Sequence, residues 1–147
     1  MVFANYTNLY ETRRDSVHDP LRQMDIQTAW TRVLKSGKKV IAIRDVPLQG
    51  HNLPDCLSRL FPANSCGAAR ESALLVGSTV QAASNMSDSV SLIDLSSLFC
   101  GDTECPAVVG DLVVYFDSSH LLGSFARTLT PYLGKDLAAA LEVGSGS

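Results

Sequence analysis

No apolar run in the sequence approaches the roughly 20 residues needed to cross a bilayer, and the opening MVFANYTN lacks the charged and apolar regions of a signal peptide. An export signal, if the domain is exported, is expected elsewhere. Basic residues show no concentration either: the formal net charge is -3, and apart from Arg13 with Arg14 and Lys35 with Lys38 and Lys39 they are dispersed. Without an electrostatic stripe, nucleic acid is not an expected partner. Charged residues make up only 18% of the chain against 46% apolar, which excludes a disordered or fibrous protein and fits one globular domain able to bury a core. The 147 residues show no internal repeat.

The four cysteines fall as two local pairs, Cys56 with Cys66 and Cys100 with Cys105, bracketing the turn-rich stretches LSRLFPANS and GDTE. Pairing neighbours is the simplest of three connectivities. Zinc is the rival, but no pair has the two-residue spacing of a zinc knuckle and no histidine lies close to one, so no metal is expected. Two disulfides point to an oxidising, extracytoplasmic compartment, whereas four buried thiols would fit a cytosolic core.

Alternating elements set the fold class. MVFA is β-prone and begins at the first residue, like a strand entered halfway through a domain. Residues 25–38 place Ile26, Ala29, Trp30, Val33 and Leu34 on one helical face, with Asp25 as N-cap and Gly37 as terminator. Core packing is the expected role of Trp30. Val40-Ile41-Ala42-Ile43 then reads as a strand covered on both faces. Helix, buried strand and loop in that order predict an α/β fold with a mainly parallel sheet. Further along, residues 68–86 read as one helix weakened by Gly77, residues 90–95 as a strand, and residues 112–116 as another strand. A closing helix is expected from Ser118 onward, with a break near Pro131 and a terminal turn at residues 138–141. Residues 1–142 form the expected domain, and 143–147, VGSGS, a flexible tail.

Chemistry is concentrated in Tyr115-Phe116-Asp117-Ser118-Ser119-His120-Leu121. Ligands collect at the carboxyl ends of strands in open α/β sheets, which would set Asp117 and His120 on a rim. A carboxylate there accepts from one imidazole nitrogen and fixes the tautomer, leaving the other nitrogen as a base toward a hydroxyl. The same aspartate would equally serve as the cap of the last helix, beside a surface histidine.

The stretch LIDLSSLFCGDTECPAVVGDLVVYFDSSHLLGSFARTLTPYL resembles the end of the SGNH hydrolase-like domain fused to many bacterial membrane acyltransferases of the acyltransferase-3 family. VFANYTN, VIAIRDVP and the pair Cys56 and Cys66 extend the resemblance over nearly the whole chain. It implies a flavodoxin-like, three-layer α/β/α domain, here without its first strands. By the same resemblance Asp117 and His120 are the acid and base of a Ser-His-Asp triad, and Asn5 or Asn8 is an oxyanion donor. The pattern breaks at the nucleophile: there is no G-D-S and no G-x-S-x-G, Gly101-Asp102-Thr103 reads as a turn, and Ser16 reads as a loop residue. Alone, the chain is expected to be nearly inactive.

The resemblance implies an extracytoplasmic O-acyltransferase or esterase domain that needs no cofactor. Its partners would be an acyl donor, a glycan or lipid acceptor and a membrane acyltransferase domain. The competing reading is a truncated or degenerate, non-catalytic binding module with a flavodoxin-like fold. An exposed sheet edge would favour homodimers. His51 reads as an exposed loop residue or a contact to an acceptor sugar, and His18 as an exposed residue.

Overall fold

A turn of glycine fixes where the longest helix stops. In the computed structural model, which describes residues 1–4, 20–59 and 66–142, helix α1 runs from Pro20 to Lys35. Gly37 follows with φ +75. Its N–H donates to the Leu34 carbonyl at 2.9 Å and that of Lys38 to the Val33 carbonyl at 3.4 Å, the paired closure of a Schellman motif. The start differs from the expectation at Asp25. Proline at the first helical position has no N–H to leave unsatisfied and a φ already suited to the helix, so the helix begins five residues earlier and Asp25 lies inside it. Its buried stripe is also narrower: Ile26, Trp30, Val33 and Leu34 pack inward, while Ala29 is exposed.

Strands β1 (Val2–Ala4), β2 (Val40–Ile43) and β4 (Val90–Ile93) form a parallel sheet in the order β1-β2-β4. Phe3 pairs with Ala42 and Ala42 with Leu92, so one residue from each strand falls in line on the same face. That face packs on Trp30, whose ring centre lies 6.1 Å from that of Phe3, and on Ala82 and Ala83 of helix α4 (Ser78–Asn85). Val40, Ile41 and Ala42 are all but inaccessible, as the unbroken apolar run of a central parallel strand requires. The fold is α/β. No helix among the described residues is long and apolar enough to cross a membrane.

Backbone contacts divide the chain into two compact units. The first is Met1–Asp45 with Val76–Asp94 and Gly134–Ser147, and it holds the parallel sheet; the second is Val46–Leu75 with Leu95–Leu133. Each has its own apolar cluster.

The second unit is built from short pieces. Helix α2 (Leu53–Arg59) starts at Asn52, whose side chain accepts the Asp55 N–H at 3.0 Å. Strand β3 (Ala68–Ala69) pairs antiparallel with β5 (Glu104–Cys105), and α3 (Arg70–Ala73) follows at once. The single helix expected over residues 68–86 is therefore a strand and two helices. Two causes combine: the Ala73 carbonyl accepts the N–H of the distant Leu48 at 2.9 Å, ending α3, and Gly77, with extended backbone, restarts the chain as the N-cap of α4.

Strands β6 (Val108–Val109) and β7 (Leu112–Val113) make a hairpin with a two-residue loop in which Gly110 takes φ +59. The strand expected over residues 112–116 is thus the short return arm of a hairpin and does not join the parallel sheet. Helices α5 (Gly123–Thr128) and α6 (Thr130–Glu142) end the described chain, with the break at Leu129 just ahead of Pro131. Residues 138–141 continue α6 and are not a separate turn.

Candidate active site

Asp117 and His120 sit at the tip of a second hairpin. The Leu122 N–H donates to the Val114 carbonyl at 2.9 Å and the Phe116 N–H to the His120 carbonyl at 2.7 Å, while Tyr115 bridges to Leu121. The tip carries N–H groups that these rungs do not satisfy, and the Asp117 side chain supplies their acceptor. Its Oδ1 accepts the Ser119 and His120 N–H groups, both at 2.8 Å. Asp117 is therefore a turn residue of the kind aspartate favours, and it lies well before the first residue of α5. A helix cap is not its role.

The spacing of three now has a physical meaning. With Oδ1 engaged by the backbone of residues 119 and 120, Oδ2 points at the ring of the same residue 120, and Nδ1–H of His120 donates to it at 2.7 Å. Hydrogen bonds from the His120 and Ser119 backbone, followed by the imidazole itself, hold the Asp117 carboxyl at about 2, below its ordinary 3.8. Above that pH the carboxylate can only accept, so Nδ1 must carry the proton. The neutral ring then has Nε2 as its basic nitrogen, the tautomer needed by a base acting on a hydroxyl. The His120 side chain is 69% exposed, within reach of a reacting partner.

Both disulfides lie in the same unit. Cys56 is bonded to Cys66 and Cys100 to Cys105. Cys66 and Cys105 are inaccessible, and the chain passes so close between them that a Cβ at Gly67 would lie 3.0 Å from the Cys105 carbonyl oxygen. Within the second disulfide loop, Gly101 N–H donates to the Glu104 carbonyl at 2.9 Å, so Gly101-Asp102-Thr103 is a turn.

His51 donates from Nε2 to the Cys66 carbonyl at 3.1 Å; its ring braces the first disulfide. Trp30 is core. Asn5, Asn8, Ser16 and His18 lie outside the described residues.

A residue that sequence reading passed over is Gln49, only 3% exposed, whose N–H donates to the Ser118 carbonyl at 3.0 Å inside the tip. Nothing in VPLQGHN signals that burial. Phe116 was also passed over: it projects into solvent beside Asp117, as the outward partner of buried Tyr115.

The model of the SGNH domain fused to AT3 domains matches residues 1–135. The chain belongs to this family. No curated protein and no solved structure matches it. An SGNH domain of this kind is an acyltransferase- or esterase-type domain whose family is defined by fusion to AT3 domains.

Proposed function

We propose that this SGNH domain supplies the acid and base of an extracytoplasmic O-acyltransferase or esterase site acting on acyl esters of cell-envelope glycans or lipids. The observation that carries the reading is the 2.7 Å contact between His120 Nδ1 and an aspartate already fixed by two backbone N–H groups. In this reading Nε2 of His120 takes the proton of a serine as its oxygen attacks the acyl carbonyl, and returns it to the departing oxygen. Asp117 orients the ring and stabilises the imidazolium. Two disulfides favour an oxidising compartment for this chemistry, and the family's fusion to AT3 domains favours a membrane acyltransferase domain as partner.

The sequence holds no G-D-S or G-x-S-x-G, so the nucleophile is not one of its recognisable motifs. That same observation favours the second reading, a binding module that keeps the scaffold without the chemistry.

Serine-directed labelling separates the two. A fluorophosphonate should label the protein as made in its host cell, and D117N should slow labelling roughly 10⁴-fold, with H120A at least as severe. Labelling indifferent to both substitutions would exclude the acid-base role; no labelling of folded protein would leave the binding module.

A further inference from the structure

Three residues of the segment 48–51 are tied to three other parts of the second unit. Leu48 N–H reaches the Ala73 carbonyl, Gln49 N–H the Ser118 carbonyl, and the His51 ring the Cys66 carbonyl. The Gln49 side chain adds a fourth link, from Nε2 to the Cys105 carbonyl at 3.4 Å. Pro47, fully buried, and Gly50, with φ +74, fix the backbone on either side of Gln49.

A carboxamide is an expensive side chain to bury, and an apolar residue of similar size would fill the space at less cost. The polar ends of Gln49 must therefore be accounted for by what they touch. Its Nε2 reaches the Cys105 carbonyl, whereas Gln49 Oε1 and the Tyr115 hydroxyl are buried without a hydrogen-bond partner, and burial pushes that phenol up to about 12. Tyr115 is two residues before Asp117, and Ser118 is one after. Gln49 thus meets the hairpin through its backbone at Ser118, next to the carboxylate, while its side chain holds the disulfide turn at Cys105.

We infer that Gln49 is a positioning residue for the Asp117 and His120 pair, anchoring the hairpin tip to the Cys100–Cys105 turn so that Oδ2 stays on the imidazole. A hairpin tip with an exposed histidine has little packing of its own, and the anchor restricts the motions that would swing the carboxylate away from the ring. The role matters for catalysis only under the function proposed above, but it is a statement about the imidazole.

The test is therefore read on the ring. In the full chain, nitrogen and proton NMR of His120 should show the Nδ1–H tautomer with a downfield ring proton. Q49M replaces the carboxamide with an unbranched apolar chain of similar length. With both disulfides and the α/β circular dichroism intact, it should lose the downfield proton, mix the tautomers and move the Asp117 midpoint upward from about 2. A merely structural glutamine would lower the melting temperature and leave the ring signals in place, and that result overturns the inference. If Q49M does not fold, amide exchange in the unmodified chain decides. Gln49 N–H should exchange together with the Ser119 and His120 N–H groups, and its exchange well ahead of theirs overturns the anchor. Failure of serine labelling would sink the enzymatic reading and leave these ring measurements untouched.

Discussion

The two units solve the problem of stability by different means. The first lays a parallel sheet under two helices, closes around Trp30, and contains no cross-link. The second has strands of two residues and helices of four to seven, and both disulfides are in it. Long regular elements bury enough apolar surface to hold themselves; short ones do not, and loops pinned by covalent bonds take their place. The Asp117 and His120 pair is on the pinned unit. Hairpin tips and loops can aim side chains outward in ways a continuous strand does not allow, provided something else restrains them.

The sharpest way to break this comparison is in the first core. Trp30 is 3% exposed, and W30A should cost about 3–5 kcal/mol in urea unfolding, from lost transfer energy and the cavity left behind. The His120 ring signals should survive wherever the variant remains folded. A cost below about 1 kcal/mol would mean that packing is not what holds the sheet and its helices.

Removing the cross-links tests the other half. The Cys56–Cys66 bond, at a sequence separation of 10, should contribute about 3 kcal/mol, and the Cys100–Cys105 bond, at a separation of 5, about 2 kcal/mol. Paired serine replacements should reveal an inversion. Loss of the larger loop should lower stability more, while loss of the smaller should disturb the His120 ring more, since Gln49 holds the Cys105 carbonyl. Equal and negligible losses would show that the second unit does not depend on its disulfides.

The smallest effect concerns pH. The Asp117 carboxyl is lowered in the folded protein from 3.8 to about 2, chiefly by the His120 backbone N–H. Its contribution to stability is therefore fully present above the unfolded value and is lost as the pH falls through about 2. Carboxyl carbon NMR should show Asp117 still ionised where other exposed carboxylates have protonated, and D117N should flatten the acid limb of the stability curve. A midpoint at the ordinary 3.8 would show that the tip does not hold its N–H groups on the carboxylate.

Legibility followed the same division. In the first unit, Ile26, Trp30, Val33 and Leu34 and the run VIAI were readable because hydrophobic period reports directly on burial in long elements. Even there the helix starts at Pro20 and not at Asp25, because a proline at the first helical position gives up no N–H while aspartate is tolerated inside a helix. In the second unit, period failed. A two-residue strand has no period, and Ala-rich residues 68–86 suited a helix until one carbonyl, that of Ala73, was claimed by Leu48 from another part of the chain. The hairpin in VVGDLVV did leave a signal, glycine followed by aspartate between two apolar pairs, that was readable in principle.

By itself, then, the sequence determined the α/β class, the neighbouring cysteines and the spacing of Asp117 from His120, because each is fixed by residues close together in the chain. Whether Asp117 capped a helix or held an imidazole was decided only by the tertiary structure. That choice turned on where the hairpin closed, which set the Ser119 and His120 N–H groups on one carboxylate oxygen and the imidazole on the other.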